Sequence, residues 1–235
     1  MRKLYYSLAG LLVGLASCTK SDQGPAVTAA FTLSRSVVEV GEQVQVVNTS
    51  QNASSYRWHA KGMQDSVKVS ASPTFKAGTK PGTYNVKLTA SNTNERRAEA
   101  IVPIRIGWRT ISALRLTAFP ATRPNGQPWH ADGTGLNLSC EIYSGPSILG
   151  IKMAGAGAYA NVQSTSLPIT WTLSGPFNDG GMSIMLIDNV AGRQEYLVSI
   201  PLNTTGPPAN RDEQAKGSYA AQYNGWATVV EIETR

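Results

Sequence analysis

Cysteine and histidine are almost missing from this chain: its 235 residues hold two of each. So few cysteines exclude the disulfide framework that staples small secreted domains. So few histidines leave no cluster with the spacing of a zinc site. Charged residues make up only 15% of the chain, and the basic ones are scattered. The net charge of +6 therefore draws no nucleic-acid footprint. No apolar run reaches the roughly 20 residues of a membrane-spanning helix. No segment keeps a 3.6-residue apolar period over three turns, so helices are not expected. What the chain does have is short alternating runs between clusters of Gly, Pro, Ser, Thr and Asn, the pattern of an all-β protein.

The first residues carry an address. Arg2 and Lys3 precede an apolar run from Leu4 to Ala16, and the run ends in Leu15-Ala16-Ser17-Cys18. A positive start before an apolar core of about a dozen residues is the layout of an export signal, too short to span a bilayer. The segment resembles a bacterial lipoprotein signal peptide with its lipobox. That resemblance implies removal of residues 1–17, acylation of Cys18, and a lipidated tether over residues 18–26; an ordinary cleaved secretory signal is the alternative. Acyl chains worth about 0.8 kcal/mol per buried methylene make such an anchor durable. Thr19 stands where an Asp would favour inner-membrane retention, so the outer membrane is expected, with the periplasmic and cell-surface faces both open. Without Arg2 and Lys3 the net charge falls to +4.

Two sandwiches are expected behind the tether. Val44 and Val46 alternate with Gln43 and Gln45, while Tyr84, Val86, Leu88 and Ala90 alternate with Asn85, Lys87, Thr89 and Ser91. Both runs have the period of a half-buried strand. Ile101 to Ile106 is more continuously apolar, which predicts a strand covered on both faces or leading into an interdomain contact. Phe31, Gly41-Glu42-Gln43-Val44, Asn48-Thr49-Ser50, Ser54 to Trp58 and Lys80 to Asn92 follow in order. This succession resembles a PKD domain, an immunoglobulin-like sandwich, over residues 27–107. The family follows its Trp with a Gly-Asp-Gly turn, where this chain reads His59-Ala60-Lys61-Gly62; no ligand contact is carried over there. Trp58 shares a strand face with Tyr56 and is expected to be the pin between sheets.

Residues 108–235 begin with Leu114, Leu116 and Ala118 alternating with Arg115, Thr117 and Phe119, then a Pro-rich loop to Trp129. Leu136 to Ile142, Pro168 to Leu173, Gly181 to Asp188, Glu195 to Leu202 and Trp226 to Ile232 read as further strands, seven or eight in all. Pro207 to Gly217 is polar and broken, and is read as a mobile loop. The order of features resembles a C2-like β-sandwich of the kind found behind PKD modules in Bacteroidetes-type lipoproteins, with a second immunoglobulin-like sandwich as the alternative.

The C2 resemblance raises calcium, which needs six to eight oxygens. The resemblance would put Asp188-Asn189-Val190 in one metal loop and Asp132 and Asn137 in the opposite one, with Glu195 more distant, and one carboxylate per loop neutralises a divalent ion poorly. No metal is expected, and Asp188 reads as a turn residue. His59 and His130, each directly after a Trp, read as surface residues. Cys140 reads as a buried strand thiol, with no base or oxyanion motif beside it. Gly155-Ala156-Gly157-Ala158-Tyr159 lacks the following helix that a phosphate cradle requires, so it reads as a strand edge. Tyr143, Tyr159, Tyr219, Tyr223 and Trp226 are candidates for a sugar- or protein-binding strip. The loops Pro120–Gly133 and Leu202–Asn224 are long enough for recognition. The expectation is a lipid-anchored envelope binding or adhesion module for glycan or protein, neither an enzyme nor a nucleic-acid binder, without cofactor. A structural or assembly component, with the PKD-like part as spacer, is the alternative.

Overall fold

The computed structural model describes residues 25–145, 150–177 and 180–235. The signal segment, the lipidation position Cys18 and the tether up to residue 24 lie outside the described residues. The rest is nearly all β and forms two sandwiches.

The first contains β1 (Phe31–Leu33), β2 (Val37–Glu39), β3 (Gln43–Asn48), β4 (Ser55–Ala60), β5 (Met63–Gln64), β6 (Val67–Lys68), β7 (Thr74–Ala77), β8 (Gly82–Ser91) and β9 (Arg97–Gly107). They form one sheet in the order β1-β3-β7-β5 and a second in the order β2-β9-β8-β4-β6. The alternations become strand faces: Val44, Val46, Val86, Leu88 and Ala90 are buried while their neighbours face out. Trp58 is wholly buried, meets Phe31 edge-on at 5.0 Å, and donates its indole N–H to the Ser70 carbonyl at 2.9 Å. The Tyr84 ring lies over Gly62, where a Cβ would come within 2.5 Å of it. The Tyr84 hydroxyl donates to the Lys80 carbonyl, a tyrosine corner. Of the two alternatives for the run from Ile101 to Ile106, coverage on both faces fails, since Ile104 and Ile106 are buried and Ile101 is 58% exposed. The strand does lead into the contact with the second sandwich, where Arg105 donates to the Thr234 carbonyl at 2.8 Å.

The second sandwich contains β10 (Arg109–Ala118), β11 (Leu136–Ser144), β12 (Lys152–Val162), β13 (Ile169–Pro176), β14 (Met182–Val190), β15 (Arg193–Leu202), β16 (Gly217–Tyr223) and β17 (Trp226–Thr234). Two four-stranded antiparallel sheets, β13-β10-β17-β16 and β12-β11-β14-β15, enclose the core. Leu114, Leu116, Leu138, Ile142, Ile184, Leu186, Ile200 and Val230 fill it. Cys140 sits among them, wholly buried, and burial pushes its thiol up to about 12.

The sandwiches meet across charged pairs. Arg109 grips Glu39 through Nε–Oε1 at 3.0 Å and Nη2–Oε2 at 2.6 Å, and donates from Nη1 to the Tyr219 hydroxyl at 2.8 Å. Arg211 holds both Glu42 oxygens at 2.7 and 2.6 Å and lies 3.3 Å from Glu39 Oε1. Arg211 belongs to the polar segment read above as a mobile loop. The segment forms no core strand, as expected, but its Arg211 is paired with a residue 169 positions away. Trp108 and Arg235 exchange backbone hydrogen bonds at 2.8 and 3.0 Å. A Cβ on Gly107 would fall 2.3 Å from the Arg235 carbonyl oxygen, so this approach needs glycine.

Trp58→Ala should cost about 3–5 kcal/mol in urea unfolding of the first sandwich, since no neighbour can refill an indole-sized hole without backbone movement; a near-neutral change would mean that Trp58 does not pin the core. In a Cys18→Ala background, Cys140 should resist iodoacetamide at pH 8 and react once urea unfolds the chain. Rapid alkylation of the folded protein would contradict its burial.

Candidate functional site

The open side of the second sandwich lies where edge strand β15, the β16–β17 hairpin and the loop 119–135 converge. The loop is folded onto the hairpin by its own aromatics. Phe119 stacks on Trp226 at 5.4 Å and Trp129 meets the same indole edge-on at 5.7 Å. Trp129 also donates its indole N–H to the Pro120 carbonyl at 2.8 Å. Arg123 ties the loop to the strand: its guanidinium lies 5.3 Å over the Trp129 ring and donates twice to the Trp129 carbonyl, at 3.2 and 3.0 Å. It also forms a two-point pair with Glu195 at 2.7 and 3.1 Å. The hydrogen bond from Arg123 holds the Glu195 carboxyl below its ordinary range and raises the guanidinium in turn.

These contacts leave a cleft of about 770 Å³. One wall is Pro120, Pro124 and Trp129; the other runs along β15 from Glu195 to Ser199; Tyr223, Asn224 and Trp226 close the end. Tyr196 is 53% exposed and Tyr223 47% exposed. β15 pairs with β14 through Tyr196–Ile187 and Val198–Leu186, leaving Leu197 as an extra residue. Such a bulge breaks the alternation of an edge strand and turns its side chains. The walls therefore offer aromatic faces, hydroxyls and an amide, and the charged pair at the rim neutralises itself.

Behind the Trp129 wall is a buried carboxylate. Asp188 ends the core-facing row of β14 and has no solvent exposure. Its Oδ1 accepts the Asn137 N–H at 2.8 Å, and its Oδ2 lies 2.6 Å from His130 Nε2. The other ring nitrogen of His130 lies 2.9 Å from the Thr134 hydroxyl. That hydroxyl in turn donates to Asp132 Oδ1 at 2.7 Å, alongside the Thr134 N–H at 3.0 Å. Thr134, His130 and Asp188 thus have the connectivity of a nucleophile, base and orienting acid. The chemistry does not follow, because the single hydroxyl proton of Thr134 is committed to Asp132 rather than presented to the base.

Two readings of the sequence are corrected here. Asp188 is a buried strand residue instead of a turn residue. His130 is not a surface side chain: only 14% of it is exposed, and it bridges the loop to the core. His59 does face solvent. Among the described residues, no group of three or more His, Cys, Asp or Glu side chains is placed to hold a metal ion. Gly155 to Tyr159 lie on edge strand β12, and the Tyr159 hydroxyl donates to the Thr170 carbonyl at 2.6 Å. The candidate strip is divided. Tyr219 and Trp226 are buried, whereas Tyr223 lines the cleft. Tyr143 stands apart, donating to Glu141 at 2.6 Å; that acceptor raises its phenol to about 12. Burial pushes Glu141 up, but hydrogen bonds from Lys152 and Tyr143 outweigh it and leave the carboxyl low. Tyr196 and Arg123 were missed in the sequence. Four non-alternating residues, Glu195-Tyr196-Leu197-Val198, were the available signal of a bulge.

No protein-family model matches the chain, and no curated protein matches it. Among solved structures it is similar to the PKD1 domain of the Vibrio cholerae metalloprotease PrtV, at 29% identity over 35% of this chain and 98% of that one, with a TM-score of 0.28. It is also similar to a carbohydrate-binding module of the β-sandwich superfamily, at 13% identity over 90% of this chain and 92% of that one, with a TM-score of 0.32. Fibronectin(III)-like modules of Clostridium thermocellum CbhA are a third likeness, at 14% identity, 71% of this chain and 91% of that one, with a TM-score of 0.28.

Proposed function

We propose that this chain is a non-catalytic binding module of the cell envelope, anchored by lipid on Cys18, that takes a glycan in the cleft between β15 and the loop 119–135. The observation that carries the glycan reading is the presence of two exposed tyrosines, Tyr196 and Tyr223, in the lining of a cleft whose only charged lining residues, Arg123 and Glu195, satisfy each other. Sugar rings present apolar faces and a rim of hydroxyls. An aromatic-walled cleft with Ser199, Thr122 and Asn224 beside it meets both needs without a free charge. In this reading residues 1–17 leave with the signal, 18–26 tether the mature chain to the outer membrane, 27–107 form the PKD-like domain and 108–235 the C2-like domain. Eight antiparallel strands in two four-stranded sheets support the latter. A protein ligand in the same cleft is the competing occupant.

One observation favours the structural reading as well. The carboxylates of Glu39 and Glu42 are held by guanidiniums of the second sandwich, which suits a stiff spacer that presents the cleft away from the membrane.

Calorimetry against soluble hexaoses of glucose, xylose, mannose and N-acetylglucosamine tests the cleft. Tyr196→Ala and Tyr223→Ala should each remove about 1–2 kcal/mol of binding, near tenfold in Kd, by the apolar area a stacked sugar would cover. Their melting temperatures should stay near that of the unsubstituted chain, because both rings are exposed. Binding that survives both substitutions would move the site elsewhere. Cys18→Ala should abolish metabolic labelling with palmitate and release the chain from the detergent phase; persistence there would end the lipoprotein reading.

A further inference from the structure

The hydrogen bonds around His130 fix how many protons its ring carries. Asp132 is held ionised below the ordinary carboxyl range, first by the Thr134 hydroxyl and then by the Thr134 N–H, so it can only accept. At 2.7 Å from it, the Thr134 hydroxyl must be the donor. The same oxygen can then only accept from His130 Nδ1, 2.9 Å away. On the other side Asp188, already accepting the Asn137 N–H, accepts from His130 Nε2 at 2.6 Å. Both ring nitrogens donate. A neutral imidazole has one N–H and cannot do this; the imidazolium can.

We propose that His130, as the imidazolium, is the positioning residue of the cleft, holding the adjoining Trp129 wall onto the core through Asp188, and that losing its second proton loosens this wall and weakens glycan binding. The regulation rests on the reading of the cleft as the binding site; the latch itself does not. Trp129 sits between two anchors. Ahead of it in the chain, Arg123 binds its carbonyl and Glu195. Directly after it, His130 reaches β14. The charged groups around the imidazolium are Asp132 on its own loop, Asp188 on β14, Glu195 on β15, and Arg123, whose guanidinium feels the Asp188 charge. When the proton leaves, either Thr134 or the buried Asp188 loses its donor. Asp188 would then keep only the Asn137 N–H, a poor match for a carboxylate without solvent. The sign is therefore fixed: the latch is closed on the acid side and released as pH rises.

Long-range 15N NMR of the imidazole in the full mature chain reads this directly, together with hydrogen exchange of the Trp129 indole N–H, assigned with Trp129→Phe. Both His130 nitrogens should carry protons at acidic pH, and the protection of the Trp129 indole N–H, taken against its intrinsic base-catalysed rate, should fall when one is lost. Thr134→Val, which keeps the Asp188 contact and the fold, should move that transition to lower pH by removing an acceptor of the charged form. His130→Gln should abolish it. A single protonated nitrogen throughout, or protection that is flat in pH or has the same pH course in His130→Gln, overturns the proposal. With the hexaoses as probes, affinity should fall about fivefold or more across the same transition, the lower end of ordinary site-to-site coupling. Indole exchange that follows His130 without any hexaose binding would uphold the latch and sink the glycan reading. Hexaose binding with a pH-independent wall would do the reverse.

Discussion

A carboxylate without solvent is the constraint around which the second sandwich is arranged. Asp188 occupies the last core-facing position of β14, where its neighbours in the row are Leu186, Ile184 and Met182. An unmatched charge there would cost several kcal/mol. The chain answers with a backbone N–H from β11 and a ring from the loop that precedes it. Once His130 is drawn inward, Trp129 has little choice of position, and its carbonyl becomes the acceptor for Arg123. Arg123 then reaches Glu195 across the gap. A single buried acid thus organises a loop, two anchors and one wall of the cleft.

The features legible in the sequence are those whose physics is local. Period-two alternation marked β3 and β8, because neighbouring side chains on a strand must face opposite ways. Trp58 and Cys140 were placed correctly for the same reason, each lying on the apolar row of its own strand. The features that escaped depend on partners far along the chain. Asp188 looks like a turn residue until Asn137 and His130, 51 and 58 positions away, are seen to need it. Arg211 looks like loop composition until Glu42 is found beside it. Tyr196 was hidden differently, since one extra residue at Leu197 breaks the rule by which exposure is read from a strand. Ile101 shows the converse: a continuous apolar run does not bury a residue that the sheet turns outward.

The seam between the sandwiches obeys the same logic as the buried acid. Arg109 and Arg211 are each about nine-tenths buried, and Glu39 and Glu42 are nearly as covered. Pairs of this kind contribute little net stability, because desolvation offsets most of the attraction. Removing one partner is what costs, since the remaining charge is left stranded. The seam therefore discriminates more than it stabilises. It accepts one mutual placement of the four side chains and penalises others, with the Phe177 ring 4.8 Å below the Arg109 guanidinium and the Tyr219 hydroxyl fixing its third side.

Such rigidity bears on how the cleft can bind. A sugar offers modest apolar area and many hydroxyls, each of which gives up water on binding, so little free energy is left to order a loose site. The cleft is arranged to need little ordering. Phe119, Trp129 and Trp226 are locked together before any ligand arrives, and Trp129 is further held by its indole hydrogen bond to Pro120. Only Tyr196 and Tyr223 keep large exposed faces. A preformed wall with two adjustable rings gives a weak-binding ligand the best return on its contacts. Trp129 is where most of these contacts meet: Trp226, the Pro120 carbonyl and Arg123 all touch it, and its neighbour in the chain, His130, reaches Asp188 in the core.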